Sequence, residues 1–381
     1  YDPNMHGVDW DAIHKKYEPL VAYVNHRKDL SYIIGEMIGE LNVGHAYVNG
    51  GDFPSAPRVQ LGLLGAELSM DKSGYVKIDK VLSGRNWDKT LRSPLTEIGA
   101  QVKAGEFIIE IDGVPTNKLT NIYSQLVGKV NKQVTLKVNS KPSPEGARNI
   151  TVLPIADEQP LYYHKWVMTN VQKVNEASKG TVGYIHVPDM GVPGLNQFVR
   201  YFYPQLSKKG LIIDIRGNGG GNVSPMLIER LQRKLAMVDM PRNVAPRTDP
   251  GEMHLGPKVA LLDEFSASDG DLFPYRFKHY NMGPLIGKRS WGGVVGIRGS
   301  LPFVDGGTMT RPEFASYDLK GKEWIIEGHG VDPDIYVDND PALEFQGVDQ
   351  QLTKGIEVIL DMIEKEKPGL ASPPPYPVKK K

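Results

Sequence analysis

After Pro154 strands and helices alternate, and that alternation constrains the fold more than any other feature of the chain. Gly183-Tyr184-Ile185-His186-Val187, Gly210-Leu211-Ile212-Ile213-Asp214-Ile215 and Lys258-Val259-Ala260-Leu261-Leu262 are short, apolar and β-rich. Such runs suit a sheet covered on both faces by helices. The reading is an α/β fold for this part. Leu352, Ile356, Ile359-Leu360 and Ile363 share one helical face, and Lys367-Pro368-Gly369 ends that helix. The Pro- and Lys-rich segment 371–381 reads as a solvated tail.

Upstream the texture differs. Between Asp9 and Leu41, apolar residues recur three and four apart, in Ala12-Ile13, Tyr17, Leu20-Val21 and Val24 and again in Ile33-Ile34, Met37-Ile38 and Leu41, which predicts a small helical module. Gly50-Gly51-Asp52 and Pro54-Ser55-Ala56-Pro57 then break the pattern as a linker does. From Arg58 to about Ile155 short strands follow, with Asp112-Gly113 as a hairpin-turn dipeptide. The chain therefore divides into a helical module (1–57), a β domain (58–156), an α/β core (157–370) and the tail, α+β overall. At roughly 150 residues per domain, 381 residues are enough for two or three domains.

Several functions are excluded or unsupported. Lys plus Arg and Asp plus Glu each number 45, so no net field attracts nucleic acid. The absence of Cys removes disulfides, thiolate metal sites and a cysteine nucleophile. No apolar run is long enough to span a bilayer. Tyr1 stands where an initiator Met would, with no apolar leader, so the native start is expected upstream. Gly217-Asn218-Gly219-Gly220-Gly221-Asn222 lacks the third Gly of a dinucleotide fingerprint, and Gly283 to Lys288 lacks the spacing and hydroxyl of a phosphate loop. Asp332, Asp334, Asp338 and Asp340 lack the Gly and Glu of a calcium loop, and no His pair has metal-ligand spacing. No cofactor and no metal are expected.

What remains is a strand running into Glu264-Phe265-Ser266-Ala267-Ser268-Asp269-Gly270-Asp271. A Ser at a strand-to-helix junction has an exposed hydroxyl beside the first-turn amides, which suits a nucleophile with an oxyanion partner. On composition alone the N-cap reading of this Ser is favoured several-fold. The glycine run 217–221 after the preceding core strand tips the balance, because backbone amides there can approach a substrate carbonyl closely.

Two resemblances follow from these motifs. Ser93-Pro94-Leu95, Ile98 to Glu106 and Ile108-Ile109-Glu110-Ile111-Asp112-Gly113 resemble the middle of a PDZ domain, and Leu61-Gly62-Leu63-Leu64-Gly65 sits where such domains bind a peptide carboxylate. A purely structural PDZ-like spacer fits equally. The whole chain resembles the catalytic half of the tricorn protease family of serine peptidases, on Leu41 to Tyr47, Asp214 to Gly221, Ser266 to Asp271, Ile286 to Gly293 and Ile326 to Asp334.

That resemblance implies a ClpP/crotonase-type core that hydrolyses peptides through an acyl-enzyme. By position it implies Ser268 as nucleophile, His45 as general base, the amides of Asp269 and of Gly221 or Gly220 as oxyanion hole, and Glu327 as the acid. Gly44 stands where the family has a Ser linking acid to base. His329, beside Glu327, is the rival base. Asp239, 29 residues before Ser268, falls at the family's selector of basic side chains, although an exposed Asp that ends a helix before Pro241 fits slightly better. The resemblance also implies a closed homo-oligomer, to which the apolar Leu227-Ile228 and Leu231 could contribute surface, with β-propellers preceding this half. The implied compartment is cytoplasmic, or periplasmic if the native chain carries a signal peptide. The alternative is a non-catalytic PDZ scaffold with an incomplete triad.

Overall fold

In the computed structural model, residues 1–54 and 56–380 are described. Ser55 of the linker and Lys381 of the tail lie outside the described residues, as do the side chains of Arg298, Ser300 and Leu301. The chain forms two compact units, one of Tyr1–Pro54 with Val171–Lys381, the other of Ser55–Asn170. Residues 1–54 thus cluster with the C-terminal part rather than standing alone.

The first unit is built on five parallel strands in the order Ile335–Tyr336, Leu285–Gly287, Lys258–Leu262, Gly210–Asp214 and Val182–His186. Every residue of the last two is buried, the pattern of strands covered on both faces. The chain is of mixed α/β class. The helix Gln350–Glu366 packs on the central strands. Gly210 permits this approach: a Cβ there would lie 2.7 Å from Ile359 Cγ1.

In the helical segment, α1 (Trp10–Tyr17) is capped by Asp9, whose carboxylate accepts the Ala12 N–H at 3.0 Å. Next, α2 (Arg27–Gly39) carries a His26/Asp29 capping box. No residue of α1 is buried and only Ile38 of α2 is. What ties the segment down is polar and backbone pairing: Arg27 to Asp305, and Val48–Asn49 paired with Thr308–Phe314. His45 lies between α2 and that pairing.

The second unit is an antiparallel sheet in the order Ala66–Met70, Val76–Val81, Phe107–Ile111, Val134–Asn139 and Arg148–Val152. Asp112 (φ 48°) and Gly113 (φ 81°) make the tight turn expected of that dipeptide, joining Ile111 to Val114. The division between the units falls inside α3 (Gln159–Ala177). Residues 371–380 are exposed and carry no helix or strand.

One expectation is corrected. In the helix order that continues with α4 (Val192–Phe202) and α5 (Ser224–Leu231), Leu227, Ile228 and Leu231 are 0%, 2% and 3% exposed. They face the chain's own core with Phe198, Phe202 and Phe273, so they offer no surface to a partner. The exposed apolar residue of α5 is Met226.

Candidate active site

The strand Lys258–Leu262 delivers the chain to the carboxyl edge of the sheet, where open α/β folds place their sites. The turn after it is stitched to the glycine loop: Ser266 Oγ donates to the Ile215 carbonyl at 2.9 Å, and the Ala267 N–H donates to the Asn218 carbonyl at 2.8 Å. Ser268 then opens α6 (Asp269–His279) at φ 58°, ψ −119°, a conformation costly for a residue with a Cβ. Its carbonyl accepts the Asp271 and Leu272 N–H groups, while its hydroxyl makes no cap bond.

The amides around it are distinguished by their partners. The Gly220 N–H donates to Asn218 Oδ1 at 2.9 Å. The N–H groups of Gly221 and Asp269 have no acceptor among the described residues. A Cβ on Gly220 would stand 2.6 Å from Ser268 Cβ, and one on Gly221 would stand 2.1 Å from the Met190 carbonyl oxygen, so both positions require glycine. The buried Asp269 carboxylate accepts the Ser224 N–H at 2.9 Å and pairs with Arg276 at 3.1 Å, locking α6 to the start of α5. Behind the glycine loop, Arg216 is buried between Asp214 and Asp349, at 2.6 and 2.9 Å, which anchors the loop's first strand to the last long helix.

His45 and Ser268 line one pocket of about 260 Å³ with Tyr47, Gly219, Glu264, Phe265, Ala267 and Trp291. No hydrogen bond joins the two side chains among the described residues. The imidazole meets Tyr47 and Trp291 edge-on, at 6.0 and 6.1 Å between centroids, and its Nδ1 is buried without a partner. Glu327 does not bond the ring. Its Oε1 accepts the Gly44 N–H at 2.8 Å, and its Oε2 accepts those of Val294 and Val295 at 2.6 and 2.8 Å. A Cβ at position 44 would be 2.9 Å from Oε1, so the carboxylate occupies the place where a side chain there would project.

Residues 181–337 match Peptidase family S41, residues 62–157 the Tricorn protease PDZ domain and residues 1–39 the Tricorn protease C1 domain. The crystal structure of the tricorn protease superimposes with a TM-score of 0.86 at 35% identity, covering 93% of this chain and 34% of that one. The chain belongs to the tricorn protease family. Among curated members it is 40% identical over 98% of its length to Tricorn protease homolog 1 of Streptomyces coelicolor, and 38% identical over 94% to the Tricorn protease of Thermoplasma volcanium. It spans about a third of those relatives, 35% and 34% of their lengths.

Within this tricorn-family site the remaining candidates sit apart. His329 is exposed and pairs with Asp332 at 2.9 Å; it does not line the pocket. Asp239 lies on the ribbon Met237–Asp239/Arg247–Asp249, exposed and opposite Arg247, whose Nε is 3.5 Å away. It does not line the pocket either.

Sequence reasoning missed Asp271 as a site-building residue. Its side chain is fully buried, and its Oδ1 accepts the Gly292 N–H at 2.8 Å, beside Trp291. Burial pushes this carboxyl above its ordinary value, against the opposing pull of the Ser290 hydroxyl and nearby amides. The rim pair of Glu264 and Lys288, at 2.7 Å, was also missed as a pair. No helix among the described residues is long and apolar enough to cross a membrane.

Proposed function

We propose that the chain hydrolyses peptide bonds by acyl transfer, as a serine peptidase. The observation that carries this reading is Ser268: a strained non-glycine residue at a helix start, its hydroxyl free of any cap bond, facing one pocket with His45. Ser268 Oγ attacks the scissile carbonyl carbon as His45 takes its proton. The developing oxyanion is received by the Asp269 and Gly221 N–H groups, the two amides with no acceptor among the described residues. Gly220, whose N–H is committed to Asn218, serves by letting the loop approach Ser268. His45 returns the proton to the leaving amine, and water repeats the sequence on the acyl-enzyme. Glu327 works at one remove, holding the backbone of Gly44 and thereby the position of His45.

An active-site-directed aryl phosphonate tests the proposal. It labels Ser268 in the native chain and labels nothing in Ser268→Ala. Label on another residue, or none in the native chain, defeats it and returns the reading to a non-catalytic PDZ scaffold.

The finer parts of the reading rest on the family. Peptides are the proposed substrates, and Asp239 the proposed selector of basic side chains, although in a single chain it faces Arg247. Assembly into a homo-oligomer is supported by exposed Met237, Val238, Met240 and Val244 around the ribbon, and light scattering over a wide concentration range tests it. The proposed compartment is cytoplasmic, by resemblance to archaeal members, which fractionation of the native host tests.

A further inference from the structure

The loop Leu61-Gly62-Leu63-Leu64-Gly65, where a PDZ domain binds a peptide carboxylate, already holds one. Glu158 Oε1 accepts the Gly65 N–H at 2.6 Å and the Ala66 N–H at 3.2 Å. The rest of the loop is fixed by its own backbone: Leu63 exchanges hydrogen bonds with Ile155 at 2.7 and 2.9 Å, and the Gly62 N–H donates to the Leu126 carbonyl at 2.9 Å. Glu158 is itself held at the start of α3, its carbonyl accepting the Leu161 and Tyr162 N–H groups at 2.9 and 3.1 Å.

Two backbone amides converging on one carboxylate oxygen are what recognition of a peptide terminus requires. The strand that leaves these amides, Ala66–Met70, is an edge strand, paired only with Val76–Val81. Its free side has the geometry for strand addition. Gly65 takes φ 75°, and a Cβ there would press on Pro94 and Ser93 at 3.2 Å, so the loop conformation depends on glycine.

We propose that this loop is a carboxylate-binding site held shut by the chain's own Glu158, and that its external ligand is a peptide with a free C-terminal carboxylate. Such a peptide adds along Ala66–Met70 once Glu158 has left. An occupant on the same chain competes at high effective concentration. The apparent affinity for an external carboxylate is then the intrinsic affinity scaled by the open fraction. The inference does not depend on the peptidase reading.

The test uses the full chain with Ser268→Ala as parent, so that any hydrolysis of the probe is removed. Hexapeptides randomised at the last four positions, as free acids and as C-terminal amides, are equilibrated with immobilised protein and the bound fraction is read by mass spectrometry. Glu158→Ala is expected to retain at least about tenfold more of the acid pool than the parent, with retention of the amide pool unchanged. Equal retention by parent and variant, or of acids and amides, overturns the proposal. Hydrogen exchange supplies a readout on the parent itself. The Gly65 and Ala66 amides are expected to exchange slowly there and faster in Glu158→Gln, whose neutral side chain is the weaker acceptor. Unprotected amides in the parent overturn the proposal as well.

Discussion

Each unit has a glycine-bearing loop whose backbone N–H groups are proposed to receive an anion, and the two loops stand in opposite states. In the first unit the Gly221 and Asp269 N–H groups beside Ser268 meet no acceptor among the described residues. In the second, the Gly65 and Ala66 N–H groups converge on Glu158. Asp269 is buried, and a buried donor without a partner costs on the order of 1–3 kcal/mol, whereas Gly221 is exposed and its N–H is open to water. Donors left without a protein acceptor next to Ser268 are free to meet a ligand; where the fold closes them with its own carboxylate, the ligand must displace that group. A glycine-rich loop therefore marks capacity for an anion and says nothing about occupancy.

The sharpest way to break this comparison is at Ser268. Ser268→Ala is expected to lower kcat/KM for a peptide by about 10⁴-fold or more, with thermal stability within about 1 kcal/mol of the native chain. His45→Ala is expected to match it, and the double variant to be no worse, since members of one catalytic unit are non-additive. Should His329→Ala behave this way instead, the base has been misassigned. Next in size is Glu327→Gln. The new amide nitrogen faces backbone N–H groups, so the hold on Gly44 or on Val294 and Val295 is lost. A small misplacement of His45 is expected to cost about 10²-fold in kcat, with KM little changed. An unaltered kcat would mean that His45 is positioned without Glu327.

Much of this was legible from local pattern. The buried strands announce themselves by uniform apolarity, and Asp112-Gly113 by its turn chemistry. Ser268 stands out as a hydroxyl at a strand-to-helix junction, whereas His45 was proposed only through the family resemblance, because nothing local distinguishes it. The illegible parts are contacts distant in sequence. Glu158 reaches a loop 93 residues away, and Glu327 a backbone amide 283 residues away. Leu227, Ile228 and Leu231 were read as apolar surface because their sequence alone does not say what covers them; the core does. Gly44 was read as a missing side chain; the structure shows its N–H used instead.

A smaller effect concerns which carboxylate selects the substrate. Asp239→Asn is expected to lower the Arg:Leu ratio of kcat/KM by about tenfold if the family role holds, because a basic side chain then loses its charged partner. The chain's own pocket offers a different carboxylate, Glu264, already paired with Lys288. A fall in the ratio on Glu264→Gln, with none on Asp239→Asn, would move selection to the pocket rim and remove Asp239 from the site.

The smallest expected effect is on stability, and it sets one buried carboxylate of each unit side by side. Burial raises the pKa of Asp271 in the first unit and of Glu158 in the second. A carboxyl whose folded value lies above its unfolded value binds more protons in the native state across the interval between the two. Each therefore lowers stability as pH rises through that interval, from the ordinary carboxylate value up to the raised one. Above it the loss is complete and constant. Asp271→Asn removes the titration while leaving an oxygen for the Gly292 N–H. Relative to the native chain, the variant should gain stability as pH rises from acidic to neutral, read from urea unfolding at a series of pH values. A variant with an unchanged pH slope would show that Asp271 is charged at no cost, its hydrogen bonds balancing its burial. The same experiment on Glu158→Gln asks whether two amides on a half-buried carboxylate offset its desolvation more fully than the Ser290 hydroxyl and nearby amides offset that of the buried Asp271.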